Sequence, residues 1–200
     1  MQEDTETTPR LSRTTDASPG PLRADARRNH ERLLAAARSA FAEQGPDASL
    51  DGIAQRAGVG SGTLYRHFPT REDLMRGVYR AEIEGLCARG RELASSAPAG
   101  EALAAWLRLL ADMADRRGLA AALYQRFGSD PPSPFLQSAK EAMETTASAL
   151  LERAQEAGAI RPDLTVSELL KLTHGVARLS DGPAETQRLL SLLLAGLTLS

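Results

Sequence analysis

A single cysteine, Cys87, stands in 200 residues. That excludes an internal disulfide and any cysteine-built metal cluster, and it fits a reducing compartment. Histidines number three, His30, His67 and His174, and no two have metal-ligand spacing, so neither a metal nor any other cofactor is expected. Aromatic side chains make up only 4% of the chain. No apolar run approaches the roughly 18 residues that cross a bilayer, and the first residues are polar and acidic. A cytoplasmic protein with no membrane partner is the expectation. No Ser/His/Asp set or carboxylate pair can be identified, which argues against an enzyme. Net charge is also scarce: 24 basic residues face 26 acidic ones, leaving −2. Taken alone, that balance is a weak case for a nucleic-acid binder.

What is present is helical. Apolar residues reach 42%, enough for a core. Residues 1–26 are rich in Thr, Ser, Pro and Gly and are expected to form a disordered arm. After Arg27 the composition turns to Ala, Leu, Arg and Glu, apolar residues recur at helical spacing, and no period-2 strand is evident. An all-α fold of about nine helices follows. Gly45-Pro46, Gly58, Pro69, Pro98-Ala99-Gly100, Gly118, Gly158 and Asp181-Gly182-Pro183 divide it. Ser49, Thr70, Ser133 and the Thr165–Glu168 capping box mark helix starts, and one helix is predicted over about Leu119–Phe127. Residues 27–75 read as one domain, a helix over about 70–95 links it onward, and residues 76–200 form the second.

The stretch Ser49–Leu74, SLDGIAQRAGVGSGTLYRHFPTREDL, is the informative one. Two short helices joined at Gly58 make a helix-turn-helix. Ala54 and Ala57 permit a close crossing, and Gly58 suits a turn that needs positive φ. Ile53, Val59, Leu64 and Phe68 are expected to pack against Leu34 and Phe41 of the first helix. That leaves Ser61, Gly62, Thr63, Tyr65, Arg66 and His67 on the outward face of the second short helix. None is acidic, and a helix presenting such groups fits a major groove. Arg27, Arg28 and Arg32 on the first helix are candidates for phosphate contact. A nucleotide loop at Gly58-x-Gly60-x-Gly62 is disfavoured, since neither a preceding strand nor a Gly-Lys-Ser/Thr accompanies it.

The run IAQRAGVGSGTLYRHFPTRED resembles the DNA-binding signature of TetR-family transcriptional regulators over roughly residues 27–75. MADRRGLAAAL and LLERAQEAGAIRPDLTVSELLKL are similar to the C-terminal half of a subgroup. The resemblance implies an N-terminal three-helix reading head, with Ser49 among its DNA-binding positions. Thr63, Tyr65 and His67 would lie on phosphates, Tyr65 also on a base, Ser61 and Gly62 near base edges, and Arg71 on the DNA backbone. It further implies a homodimer built through the last two helices, with a small-molecule effector in the C-terminal domain. The implied function is a ligand-responsive repressor on a near-palindromic double-stranded operator; a helical small-molecule-binding protein without DNA binding is the alternative. Two positions depart from the common pattern. Gly60 stands where many relatives carry a Ser cap, and Gly52 lies within the first short helix.

Trp106, Met113, Tyr124, Phe127, Phe135, Met143 and His174 are the candidates for an effector pocket, with an apolar ligand implied by their character. The final helix, RLLSLLLAGL, is apolar nearly all round, more than one neighbouring face can cover. Leu169, Leu172, Leu189, Leu190, Leu193 and Leu197 are therefore assigned to a dimer seam. The charge balance also resolves by position. Residues 21–80 hold ten arginines against seven acids, so the basic excess lies with the helix-turn-helix.

Overall fold

The computed structural model describes residues 21–115, 122–123, 125 and 133–198. Among these residues there are eight helices and no strand, as the periodicity requires. They are α1 (Pro21–Gln44), α2 (Leu50–Arg56), α3 (Ser61–His67) and α4 (Arg71–Ser96), followed by α5 (Ala99–Asp115), α6 (Pro134–Glu156), α7 (Val166–Leu179) and α8 (Pro183–Leu197). The helix predicted over about Leu119–Phe127 falls largely outside the described residues.

The first helix begins at Pro21, upstream of the expected Arg27. Proline is well suited to a first helical position, where its missing N–H is not needed. The next residues pair at helical spacing, Arg28 with Asp25 and Arg27 with Glu31. The Ser/Thr/Pro-rich average of residues 1–26 conceals this local helix former. Gly45, at φ +82°, ends α1, with its N–H donating to Phe41 O.

The N-terminal head is held by one apolar cluster. Leu33, Ala37 and Phe41 of α1 bury against Ile53 and Ala54 of α2, Leu64 of α3 and Leu74 of α4. Ser49 caps α2, its Oγ accepting from Gly52 N at 3.3 Å. Gly52 thus belongs to the first turn, where glycine's interior-helix penalty is not the relevant one. The α2–α3 turn closes on Gly58 at φ +65°, with Val59 N donating to Ala54 O at 3.0 Å. Thr70 and Asp73 form a reciprocal capping box that starts α4.

Helix α4 runs from the head into the C-terminal bundle, where it packs on α5 and α6. Gly90 makes this approach possible: a Cβ there would stand 2.5 Å from Thr146 Cγ2 and 2.9 Å from Trp106 Nε1. Trp106 is fully buried, and its indole N–H donates to Leu86 O at 3.0 Å. A large apolar side chain is thereby buried without an orphaned donor. The Ser133 cap and the Thr165–Glu168 box are present as predicted. Helix α5 packs against α7 and α8, and Gln187 Nε2 donates to Asp112 Oδ1 at 2.8 Å across that seam.

Candidate nucleic-acid interface

The head places α3 across α2, with Leu64 and Phe68 inward and a polar strip outward. Tyr65 is the large side chain left on that strip, 48% exposed. Gly62 and Arg66 are exposed beside it, and Ser61, Thr63 and His67 are half-exposed. A Cβ at Gly60 or Gly62 would meet nothing within 4 Å, so the backbone is bare at these two positions. Arg66 donates to Thr63 Oγ1 at 3.3 Å, one helical turn back. On α1, Arg27 and Arg28 are exposed and, among the described residues, pair along their own helix, to Glu31 and Asp25. Surface pairs of this kind are weak.

Three assigned positions have structural work to do. Arg71, expected on the DNA backbone, is half-buried and donates from one guanidinium nitrogen to Pro46 O at 3.0 Å and Ala48 O at 2.6 Å. It ties the start of α4 to the α1–α2 loop. Arg32 reaches over the turn to Gly58 O at 3.3 Å, stitching α1 to the helix-turn-helix. Ser49 uses its hydroxyl as the α2 cap while remaining exposed.

Sequence reasoning missed two residues here. Asp51, in the first turn of α2, accepts a hydrogen bond from Ser61 Oγ at 2.7 Å, which places a carboxylate beside the start of α3. A partner ten positions away on another helix leaves no trace in periodicity. His30 of α1 stacks on Phe68 at 4.9 Å and lies 5.7 Å from His67. Burial, with His67 second, holds its pKa below the ordinary histidine value, against a smaller opposing pull from Glu31. The rings of His30 and Phe68 form one end of a cavity of about 340 Å³ between α1 and α4, which also includes Leu34, Gly77 and Arg80.

The pocket and dimer assignments divide. Trp106 is fully buried and its N–H is occupied by Leu86 O. Met143 is likewise buried in the core. Phe135 is half-buried, edge-on to Tyr79 at 5.9 Å, with the Arg80 guanidinium 5.8 Å from its ring centre. Met113 is half-buried, and His174 places Nδ1 2.8 Å from Leu170 O of its own helix. Tyr124 and Phe127 lie outside the described residues. In the seam, Leu169 and Leu190 are fully buried within the protomer and offer a partner no surface, whereas Leu197 lines an open groove beside Leu172. Helix α8 does cover one side of itself against α5 and α7. Leu172 remains exposed, as do Leu179 and Leu192, while Leu189 and Leu193 are partly covered. Among the described residues no group of three His, Cys, Asp or Glu can hold a metal. No described helix is long and apolar enough to cross a membrane.

Residues 33–78 match the family described as bacterial regulatory proteins, tetR family. Residues 98–199 match the C-terminal domain of SbtR-like transcriptional regulators. The fold is similar to the TetR transcriptional regulator SCO0520 of Streptomyces coelicolor, at TM-score 0.73 and 37% identity over 84% of this chain and 98% of that one. A TetR regulatory protein of Mycobacterium vanbaalenii gives TM-score 0.70 and 32% identity over 90% of this chain and all of that one. The repressor KstR2 of Mycobacterium tuberculosis is 27% identical across 83% of this chain and 91% of its own length. These relatives are transcriptional regulators, not enzymes. A helix-turn-helix built on α2 and α3, continuing through α4 into a helical bundle, thus matches in both halves, and the chain belongs to the TetR family of bacterial transcriptional regulators.

Proposed function

We propose that this regulator is a repressor that binds a near-palindromic operator as a homodimer and leaves it when a small hydrophobic effector binds the C-terminal bundle. The observation that carries the reading is the outward face of α3. Tyr65 and Arg66 stand exposed on a helix whose opposite side is locked into the core by Leu64 and Phe68. A rigid helix with exposed donors and a small-residue first turn is shaped to enter a major groove. A two-fold dimer places two such helices on matching half-sites, which is why the operator is read as near-palindromic.

The dimer is supported by the apolar strip that the protomer leaves uncovered. Leu172 and Leu179 of α7 are 43% and 86% exposed, and Leu192 of α8 is 59% exposed. Paired with its own copy, that strip makes a four-helix seam. Repression is supported by KstR2, whose name describes a repressor. Its solved structure is described as that of a ketosteroid transcriptional regulator, which favours an apolar effector for this chain too. The half-buried Met113 and Phe135 are available to such a ligand.

A gel-shift with labelled DNA from upstream of the chain's own gene tests the reading. The wild type is expected to shift it, and Tyr65→Ala with His67→Ala to lose the shift while keeping the dimer mass. Retained binding by that double variant sinks the assignment to α3.

A further inference from the structure

We propose that Asp51 is a base-reading residue that selects cytosine at one position of each half-site, with Ser61 holding its carboxylate in place. The inference rests on the DNA-reading role of α3 and adds what that head discriminates. Asp51 projects from the first turn of α2, and Ser61 opens α3; their side chains meet at 2.7 Å. Both belong to the edge of the head where the bare backbone at Gly60 and Gly62 leaves room for a base edge. No cation within the described residues forms an ion pair with this exposed carboxylate.

The chemistry of the pair is one-sided. An ionised carboxylate is an acceptor only, and Ser61 has turned its one hydroxyl proton toward Asp51. Together they offer a groove lone pairs and no donor. Phosphate repels such a group, so contact with the DNA backbone is unfavourable. Among the base edges of the major groove, guanine presents O6 and N7 and thymine presents O4, all acceptors that the pair rejects. Adenine presents an amino donor flanked by the N7 acceptor. Cytosine presents its N4 amino donor with an acceptor on one side, O6 of the paired guanine, whereas adenine N6 lies between N7 and the O4 of its thymine. Cytosine is the base that satisfies the pair with the fewest repulsive neighbours.

A carboxylate in the first turn of α2 also complements the helix dipole. That role stabilises the head but carries no base preference, so a readout of preference separates the two. Selection from a randomised DNA pool by the full-length protein and by Asp51→Asn is the experiment. The wild type is expected to enrich a two-fold site with cytosine at one position per half-site, preferred over thymine by about tenfold. Asn keeps the shape and the acceptor for Ser61 while adding a donor. At that single position Asp51→Asn is expected to favour adenine, which matches an amide through N6 and N7. All other positions should keep the wild-type preference. An unchanged preference in Asp51→Asn overturns the proposal, and so does loss of binding to every sequence, which would mark the residue as structural. A wild type that enriches no sequence would instead remove the DNA-reading assignment on which the inference stands.

Discussion

Arg71 and Arg27 show one residue type in two situations in the same head, the first half-buried on carbonyls and the second exposed. A guanidinium that gives one nitrogen to two main-chain carbonyls, as Arg71 does, organises the loop it touches. Arg71→Ala is expected to lower unfolding free energy by about 2 kcal/mol, because Pro46 O and Ala48 O lose a charged donor. The slope of log binding constant against log salt should stay at its wild-type value, whereas removal of a phosphate contact lowers it by about one. Chemical denaturation and a salt series of binding isotherms check the two halves. His30 makes a second prediction at this scale. Its folded-state pKa is lowered, mainly by burial, so the unfolded chain binds more protons once pH falls through the ordinary value of 6.5. Stability present above that value is then lost on acidification. Glu43, Asp163 and Glu168, held low by hydrogen bonds from Arg56, Arg161 and Thr165, lose their contribution only in the more acidic carboxylate range. Urea midpoints should therefore drop between about pH 7 and about pH 5.5 in wild type, and less so in His30→Gln.

Helix α4 is the element that joins head to bundle, and its glycines decide how closely it does so. At Gly77 a Cβ would stand 2.9 Å from Phe68 and 3.1 Å from Leu34. At Gly90 it would meet both Thr146 and the indole of Trp106. Thr146 is held by its bond to Ala142 O and Trp106 by its bond to Leu86 O, each at 3.0 Å. Gly90→Ala is thus expected to cost about 1–3 kcal/mol through overpacking, despite alanine's better helix propensity. A thermal melt measures it, and an unchanged or raised midpoint would show that the α4–α5 contact is looser than its geometry. The helix ends were legible in advance wherever a cap side chain stood next to its helix, as at Thr70, Ser133 and Thr165. The start of α1 at Pro21 was not, because a short Ala-containing helix former was averaged with the Ser/Thr/Pro-rich residues before it.

On the scale of the whole molecule, the exposed and buried leucines of α7 and α8 separate assembly from folding. Leu192→Glu with Leu179→Glu alters positions exposed in the protomer. The pair is expected to weaken dimerisation about tenfold or more while leaving helical content intact. Leu190→Glu instead places a charge at a fully buried site and should abolish folding. Sedimentation and circular dichroism together distinguish the two; a dimer that survives both surface charges would place the partner elsewhere. The distribution of charge belongs to this scale as well. The total of −2 describes neither half, because the basic excess travels with the reading head.

Local order along the chain was enough to determine the helical class, the helix-turn-helix from Ser49 to His67 and the apolar character of the last helix. Each depends on residues within a few positions of one another, and helical spacing records such neighbours directly. Tertiary structure alone decided which groups remain available. It occupied Arg71 with two carbonyls, turned Leu169 and Leu190 inward, closed Trp106 into the core, and brought Asp51 to Ser61. Those outcomes depend on where separate helices cross. A side chain's chemistry is set by its type, but its availability is set by what packs against it.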